Sequence, residues 1–232
     1  MTDQTQEKEF KHNFKAWNTE QKQLRLLLED PLRHVEAIDL FLQHHAVLHA
    51  TRMAQTENWS FTDAVLSDMS EEKIRDIPAN GEHTVAWLFW HMARIEDVAM
   101  NTLVAGSPQI LNQEDWLARL GVPLHHTGNN MDQESVERLS TSVDVNALQD
   151  YRVAVGRRTR EIVQQLQPDD LTQKVDPVRV RQVMDQGDLV EEASGIADYW
   201  GRRTVSGLLL MPATRHNMVH LNEAFRLKKR RG

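Results

Sequence analysis

Residues 205–229 read VSGLLLMPATRHNMVHLNEAFRLKK, and within them His216 and His220 stand four apart. Residues four apart on an α-helix are rotated by only ~40° and raised by ~6 Å, so both imidazoles leave the same face. Leu209, Ala213, His216, His220, Ala224 and Leu227 fall on one stripe, which predicts a helix with both histidines turned into an apolar interior. Two buried imidazoles are unfavourable unless their ring nitrogens find partners. A metal ion is one such partner; backbone groups or carboxylates around ordinary core histidines are the other. Met211-Pro212, one turn before His216, predicts a bend or a restart of this helix, because proline removes a backbone donor.

A second stretch matches the first in kind. Residues 85–97 read VAWLFWHMARIED and place His91 on the stripe Leu88, His91, Ile95 and Val98. This helix is expected to open near His83 and to end before Gly106-Ser107-Pro108. Three inward-facing histidines on two helices of one bundle make a facial set that leaves coordination positions open.

Two further long helices complete the frame. Asp30-Pro31 is a helix start, an N-cap acid before Pro at the first helical position, and the apolar period after it predicts a helix to about Ala54. The other runs from Asp144 to Pro168 and carries Leu148, Tyr151, Val155, Ile162 and Leu166. Four long amphipathic helices predict an all-α protein, a four-helix bundle with elaborated connections. Short helices are expected at 61–69 and 71–77, ending in a turn at Pro78-Ala79-Asn80-Gly81, and around 113–120. The connections at 106–143 and 168–203 are turn-rich, and Val178-Arg-Val180-Arg is the only hint of a strand. Residues 1–29 read as an arm or a peripheral helix, and 30–232 as one domain.

Composition narrows the chemistry. The 232 residues include 27 basic and 34 acidic side chains, a net charge of −7, which argues against a nucleic-acid partner. The terminal run Lys228-Lys229-Arg230-Arg231 is expected to complement a helix dipole and stay solvated. Cysteine is absent, so disulfides, thiolate metal sites and cysteine nucleophiles are excluded. Neither a secretory signal nor an apolar run of membrane-spanning length is present, and a soluble, cytoplasmic protein is the expectation.

Other residues compete for, or surround, the site. His44, His45 and His49 crowd the first helix, and His45 and His49 form a second pair four apart, by spacing as good a pair as His216 and His220; lining the pocket or satisfying one another through water are the other readings. His125 and His126 are expected in an exposed loop. A ligand imidazole commonly donates its other N–H to a carboxylate. Glu223, three residues after His220, and Asp97 and Glu96 near His91 are the candidates, with surface salt bridging the simpler reading for Glu96 and Asp97. Trp87 and Trp90 flank His91 and suit a pocket wall, while Arg215 and Arg94 flank the site in sequence, either to attract an anionic substrate or to face solvent.

The segments WLFWHMARIED and RHNMVHLNEAFRLKK resemble the second- and fourth-helix ligand segments of the DinB-like (DinB/YfiT) family of metalloenzymes. The resemblance covers the order of helices from about Asp30 to the C-terminus. It implies a four-helix bundle whose metal is held by His91 and by the pair His216 and His220, with no ligand on the first helix. One departure is Asn222, where family members often carry Gly two residues after the last His. A metal on three neutral histidines favours Lewis-acid activation of water or of a thiolate, with no protein nucleophile required. Zinc is the default ion and nickel the alternative. The resemblance further implies a thiol-dependent transferase using a low-molecular-weight thiol; a hydrolase acting on a small molecule is the related expectation. A non-catalytic metal-binding or stress-associated interaction module is the competing class, and pairing into a homodimer is a further expectation.

Overall fold

Polar as they are, the first 30 residues carry Phe10, Trp17, Leu24, Leu27 and Leu28 at helical spacing. In the computed structural model, which describes residues 3–78 and 83–230, they fold as helix α1 (Asp3–Leu28). Those five side chains are at most 2% exposed. Asp30 accepts from the Leu32 amide at 3.0 Å and Pro31 opens a 3-10 turn that leads into α2 (His34–Ala46). The helix expected to reach Ala54 stops at Ala46 and resumes only as α3 (Thr51–Ala54). Competing partners break it: Phe61 N donates to the Val47 carbonyl at 2.8 Å, and Thr62 Oγ1 to that of Leu48 at 2.6 Å.

Helices α4 (Phe61–Leu66) and α5 (Glu71–Arg75) follow, capped by the side chains of Ser60 and Ser70. Of the turn expected at 78–81, residues 79–81 lie outside the described residues. Thr84 caps α6 (Val85–Asp97), which runs on as a π-helical stretch to Ala105 and ends at Gly106. Gly106 has φ +63°, a left-handed conformation that favours glycine, and the Arg179 guanidinium, 2.6–2.9 Å from where a Cβ would sit, would have to shift to admit one. The later helices are α7 (Trp116–Leu120), α8 (Gln133–Ser142), α9 (Val145–Gln165), α10 (Pro177–Asp185), α11 (Ser194–Gly201), α12 (Val205–Leu210) and α13 (His216–Lys229). Val178 and Val180, the hint of a strand, lie in α10, where Asp176 caps the Val178 amide and Pro177 takes the first helical position. Among the described residues the protein is all-α; its sole β-type pairing is an isolated bridge between Lys174 and Thr204.

Every residue of α6 is buried, which makes it the spine of the molecule. It packs against α5, α8, α9 and α13. One apolar cluster surrounds Trp87, Trp90, Leu148, Tyr151 and Phe225, the other Phe41, Ile95, Ile162, Trp200 and Leu209. Helix α1 spans both, giving Phe10 and Trp17 to the first and Leu24, Leu27 and Leu28 to the second. Two residues of the basic tail are also held: Lys228 Nζ donates to the Ala64 and Ser67 carbonyls at 2.8 and 2.5 Å, and Lys229 pairs with Glu7. No helix among the described residues is long and apolar enough to cross a membrane.

The expected irregularity at Pro212 is a π-helical turn, Met211–Arg215, between α12 and α13. It frees carbonyls that a regular helix would use, and neighbours take them up. Gln21 of α1 donates from its amide nitrogen to the Leu210 carbonyl at 2.9 Å and to Thr214 Oγ1 at 3.2 Å. Its amide oxygen accepts from His44 Nε2 at 2.7 Å. One side chain thus joins α1, α2 and the turn that aims His216. Replacing Gln21 with Leu leaves the Leu210 carbonyl and the His44 N–H buried without that partner. The expected cost is about 1–3 kcal/mol, read as a lower urea midpoint at unchanged m-value; an unchanged midpoint would show that the turn is held by other means.

Candidate metal centre

His91 comes from the middle of α6, while His216 opens α13 and His220 lies one turn further on. The ring centroids are 4.8 Å apart for His91 and His216, 5.0 Å for His91 and His220, and 4.6 Å for His216 and His220. One nitrogen of each ring lies within 4.8 Å of the other two. His91 is 3% exposed, and the His220 side chain, at 16%, marks the open side of the group.

The outer nitrogens determine what the inner ones can do. His91 Nδ1 lies 2.7 Å from the Thr127 carbonyl oxygen, which can only accept, so this nitrogen carries the proton and Nε2 is left with a bare lone pair. His220 Nδ1 donates to Glu223 Oε2 at 3.0 Å, which likewise frees Nε2. His216 Nε2 lies 3.0 Å from His91 Nε2, and its Nδ1 is buried without a partner. Burial pushes His91 down to about 3, with the neighbouring His220 adding to the shift, and holds His216 well below its ordinary value for the same reason. Burial raises the Glu223 carboxyl, but hydrogen bonds to His220 and His83 outweigh it and bring it to about 2. The Nε2 atoms of His91 and His220 thus face the shared centre beside an ionised carboxylate, and His216 Nε2, which donates to His91 Nε2, would offer its lone pair to a cation once its proton moves to Nδ1. Bonds of about 2.0–2.1 Å to a tetrahedral ion would set the nitrogens roughly 3.3 Å apart, close to the observed 3.0 Å between His91 and His216. The residues fit a divalent metal ion.

Trp87 forms one wall. It stacks on His91 at 4.5 Å and on His83 at 3.6 Å, and presents its edge to His220 at 6.3 Å. His83 Nδ1 is 3.9 Å from Glu223 Oε1, so that carboxylate serves two imidazoles. Neither arginine is available to a substrate at the histidines. Arg215 donates to Asn18 at 2.6 Å and sits over Trp17, while Arg94 is fully buried between Asp97, Asp188, Gln109 and Tyr151.

Glu96 and Asp97 are not surface groups: both are 0% exposed, because α6 has no solvent face. Asp97 does not serve His91 either. It accepts from Tyr151 Oη at 2.5 Å, from Arg94, from Asn101 and from the Ile110 and Leu111 amides. Glu96 belongs to a second group with His45 and His49, whose Nε2 atoms lie 2.8 and 3.2 Å from its two oxygens. Thr159 and Asn217 complete its hydrogen bonds at 2.8 and 2.9 Å. His44 stands apart, stacked on Trp17 at 4.1 Å. The groups that the sequence did not reveal are Thr127, His83, Thr159 and Asn217. Thr127 contributes a backbone carbonyl, which any residue type could supply. Its loop is held over His91 by bonds from Arg94 to the His125 carbonyl, from Trp90 to that of His126, and from Thr127 N to that of Asp188. His83, which precedes the Thr84 cap of α6, stacks on Trp87 from outside the helix, so helical spacing gave no signal for it.

With the bundle and its histidines described, comparison with known families places the chain. A family model, DinB_2 (DinB superfamily), matches residues 54–224. The chain belongs to the DinB superfamily, and the matched stretch contains His91, His216, His220 and Glu223 but neither His45 nor His49. No curated protein matches the chain.

Buried neutral histidines tie stability to pH. Burial holds His44 and His91 at about 3 and His49 at about 4, against 6.5 for a free ring. Their folded values are depressed, so between 6.5 and 3–4 the unfolded chain binds more protons. Stability is complete above 6.5 and falls as the pH drops towards those values, by up to about 1.4 kcal/mol per pH unit for each ring. In chelator-treated protein the urea midpoint at pH 5 should therefore lie clearly below that at pH 7.5. Equal midpoints would contradict the neutral, buried state of these rings.

Proposed function

We propose that this protein is a metal-dependent enzyme acting on a small molecule at His91, His216 and His220. Thiol-dependent transfer is the first reaction class and hydrolysis the second, with zinc the preferred ion and nickel the alternative. The observation that carries the reading is the set of outer hydrogen bonds: the Thr127 carbonyl and the Glu223 carboxylate hold His91 and His220 with Nε2 facing the shared centre. A divalent ion there would supply Lewis acidity, lowering the pKa of water or of a low-molecular-weight thiol.

The chain's own residues do the rest. Three neutral imidazoles bring no negative charge to offset the ion. Glu223 stays one residue out, holding the proton on His220 Nδ1 and fixing the ring's orientation. Trp87 gives the centre an apolar wall, and the loop carrying Thr127 closes the side of His91, which leaves approach from the side of His83 and Glu223, whose side chains are 41% and 29% exposed. DinB superfamily membership supports a metal-centred reading and leaves the substrate open.

The test is elemental analysis of tag-free protein together with a turnover assay using a thiol and an activated electrophile, with an activated ester as the hydrolytic probe. His91→Ala and His220→Ala should each lose metal and turnover together. Glu223→Gln should keep the fold and weaken metal binding about 10–100-fold. Tight metal binding without turnover on any of these substrates would instead favour a non-catalytic metal-binding module.

A further inference from the structure

We propose that His45, His49 and Glu96 form a second site for a divalent cation, distinct from the three-histidine centre. Two imidazoles and a carboxylate are the donor set that proteins use for zinc and for ferrous iron. Here the three donors lie within 4.8 Å of one another, with the two rings 4.4 Å apart. They come from separate parts of the chain, the end of α2, the turn that follows it and the last turn of α6, so the group is a product of packing rather than of one helix face.

Two observations set the group apart, one of charge and one of how the His49 ring is seated. The first is charge. Glu96 is 0% exposed, and its hydrogen-bond partners are His45, His49, Thr159 and Asn217, with no lysine or arginine among them. Arg152 approaches but gives its guanidinium to Asn217 Oδ1 and the Leu48 carbonyl, not to the carboxylate. No side chain with a permanent positive charge contacts this buried carboxylate, and a divalent ion would supply one. The second is space. Gly156 sits in the interior of α9, where glycine is less favourable than alanine. A Cβ at that position would stand 2.8 Å from His49 Nδ1 and 2.9 Å from Cε1. The helix carries its least favourable ordinary residue at the point where the His49 ring has to be seated.

Without an ion the same atoms close on themselves. Each Nε2–H donates to Glu96, and the Nδ1 atoms of His45 and His49 remain buried without partners. Uptake of an ion requires each Nε2 to give up its proton, leaving the ring to carry its proton on Nδ1. The metal–ligand bonds must then outweigh the hydrogen bonds given up and two Nδ1–H groups without acceptors. Because the three side chains are at most 1% exposed, loading has to accompany folding.

The experiment uses the full chain without a tag, refolded from urea with Zn²⁺ or Co²⁺ and freed of excess ion by gel filtration, with ions counted per chain and the Co²⁺ visible spectrum recorded. Native protein should hold two ions, and His216→Ala/His220→Ala should keep one. Glu96→Gln and, independently, His49→Gln should each lose one while retaining the helical circular dichroism of the native chain; two routes guard against a variant that fails to fold. An ion count unchanged in both Glu96→Gln and His49→Gln would overturn the proposal, as would a native chain whose single ion disappears with His216 and His220. If instead the three-histidine reading is the one that fails, native protein holds a single ion that survives His216→Ala/His220→Ala and is lost in Glu96→Gln.

Discussion

Helix α6 has no face to solvent, yet its sequence carries a histidine, an arginine, a glutamate and an aspartate. A buried polar group without a partner costs more than an ordinary contact returns, so each of these four calls in groups from elsewhere in the chain. His91 takes the Thr127 carbonyl and faces His216 and His220. Arg94 binds Asp97, Asp188, Gln109 and Tyr151, and so ties the 106–128 connection and the turn before α11 to the spine. Glu96 collects His45, His49, Thr159 and Asn217. The architecture follows from satisfying one helix.

That constraint explains why the connections are as ordered as the long helices. The loop at 125–128 crosses α6 because Arg94 and Trp90 donate to its carbonyls, and in doing so it delivers the carbonyl that sets the His91 tautomer. Aiming His216 uses a similar device. The π-helical turn at 211–215 inserts extra backbone ahead of α13, and Gln21, Thr214 and Asn217 take up the carbonyls it frees. Helix α1 is therefore tied to the geometry of the centre through one amide, although it lies outside the stretch that matches the DinB superfamily.

The two histidine groups differ in a way that matters for chemistry. At His91, His216 and His220 the carboxylate stands behind a ring, where it orients the imidazole and would leave the charge of a bound ion unneutralised. At His45, His49 and Glu96 the carboxylate faces the rings directly, and no side opens to solvent. The first arrangement is partly open and the second is closed on all sides.

Much of this was legible in the residues. The stripes of Leu209, Ala213, His216 and His220, and of Leu88, His91 and Ile95, predict two helices whose histidines face inward, because side-chain direction on a helix depends only on spacing. Glu223 at three residues from His220 follows from the same rule. Spacing could not place Glu96 and Asp97, since a charged residue on a helix is read as solvated until every neighbouring element is known. It also could not end α2 at Ala46, where the carbonyls of Val47 and Leu48 are claimed by Phe61 and Thr62. Nor could it find Thr127, whose contribution is backbone. The sequence by itself determined the helices, their buried faces and the three convergent histidines, all properties of local periodicity. Only the tertiary structure decided which nitrogen of each ring faces inward, which carboxylates lie in the interior and that His45 and His49 meet Glu96. Those depend on partners distant in the chain that satisfy buried polar atoms.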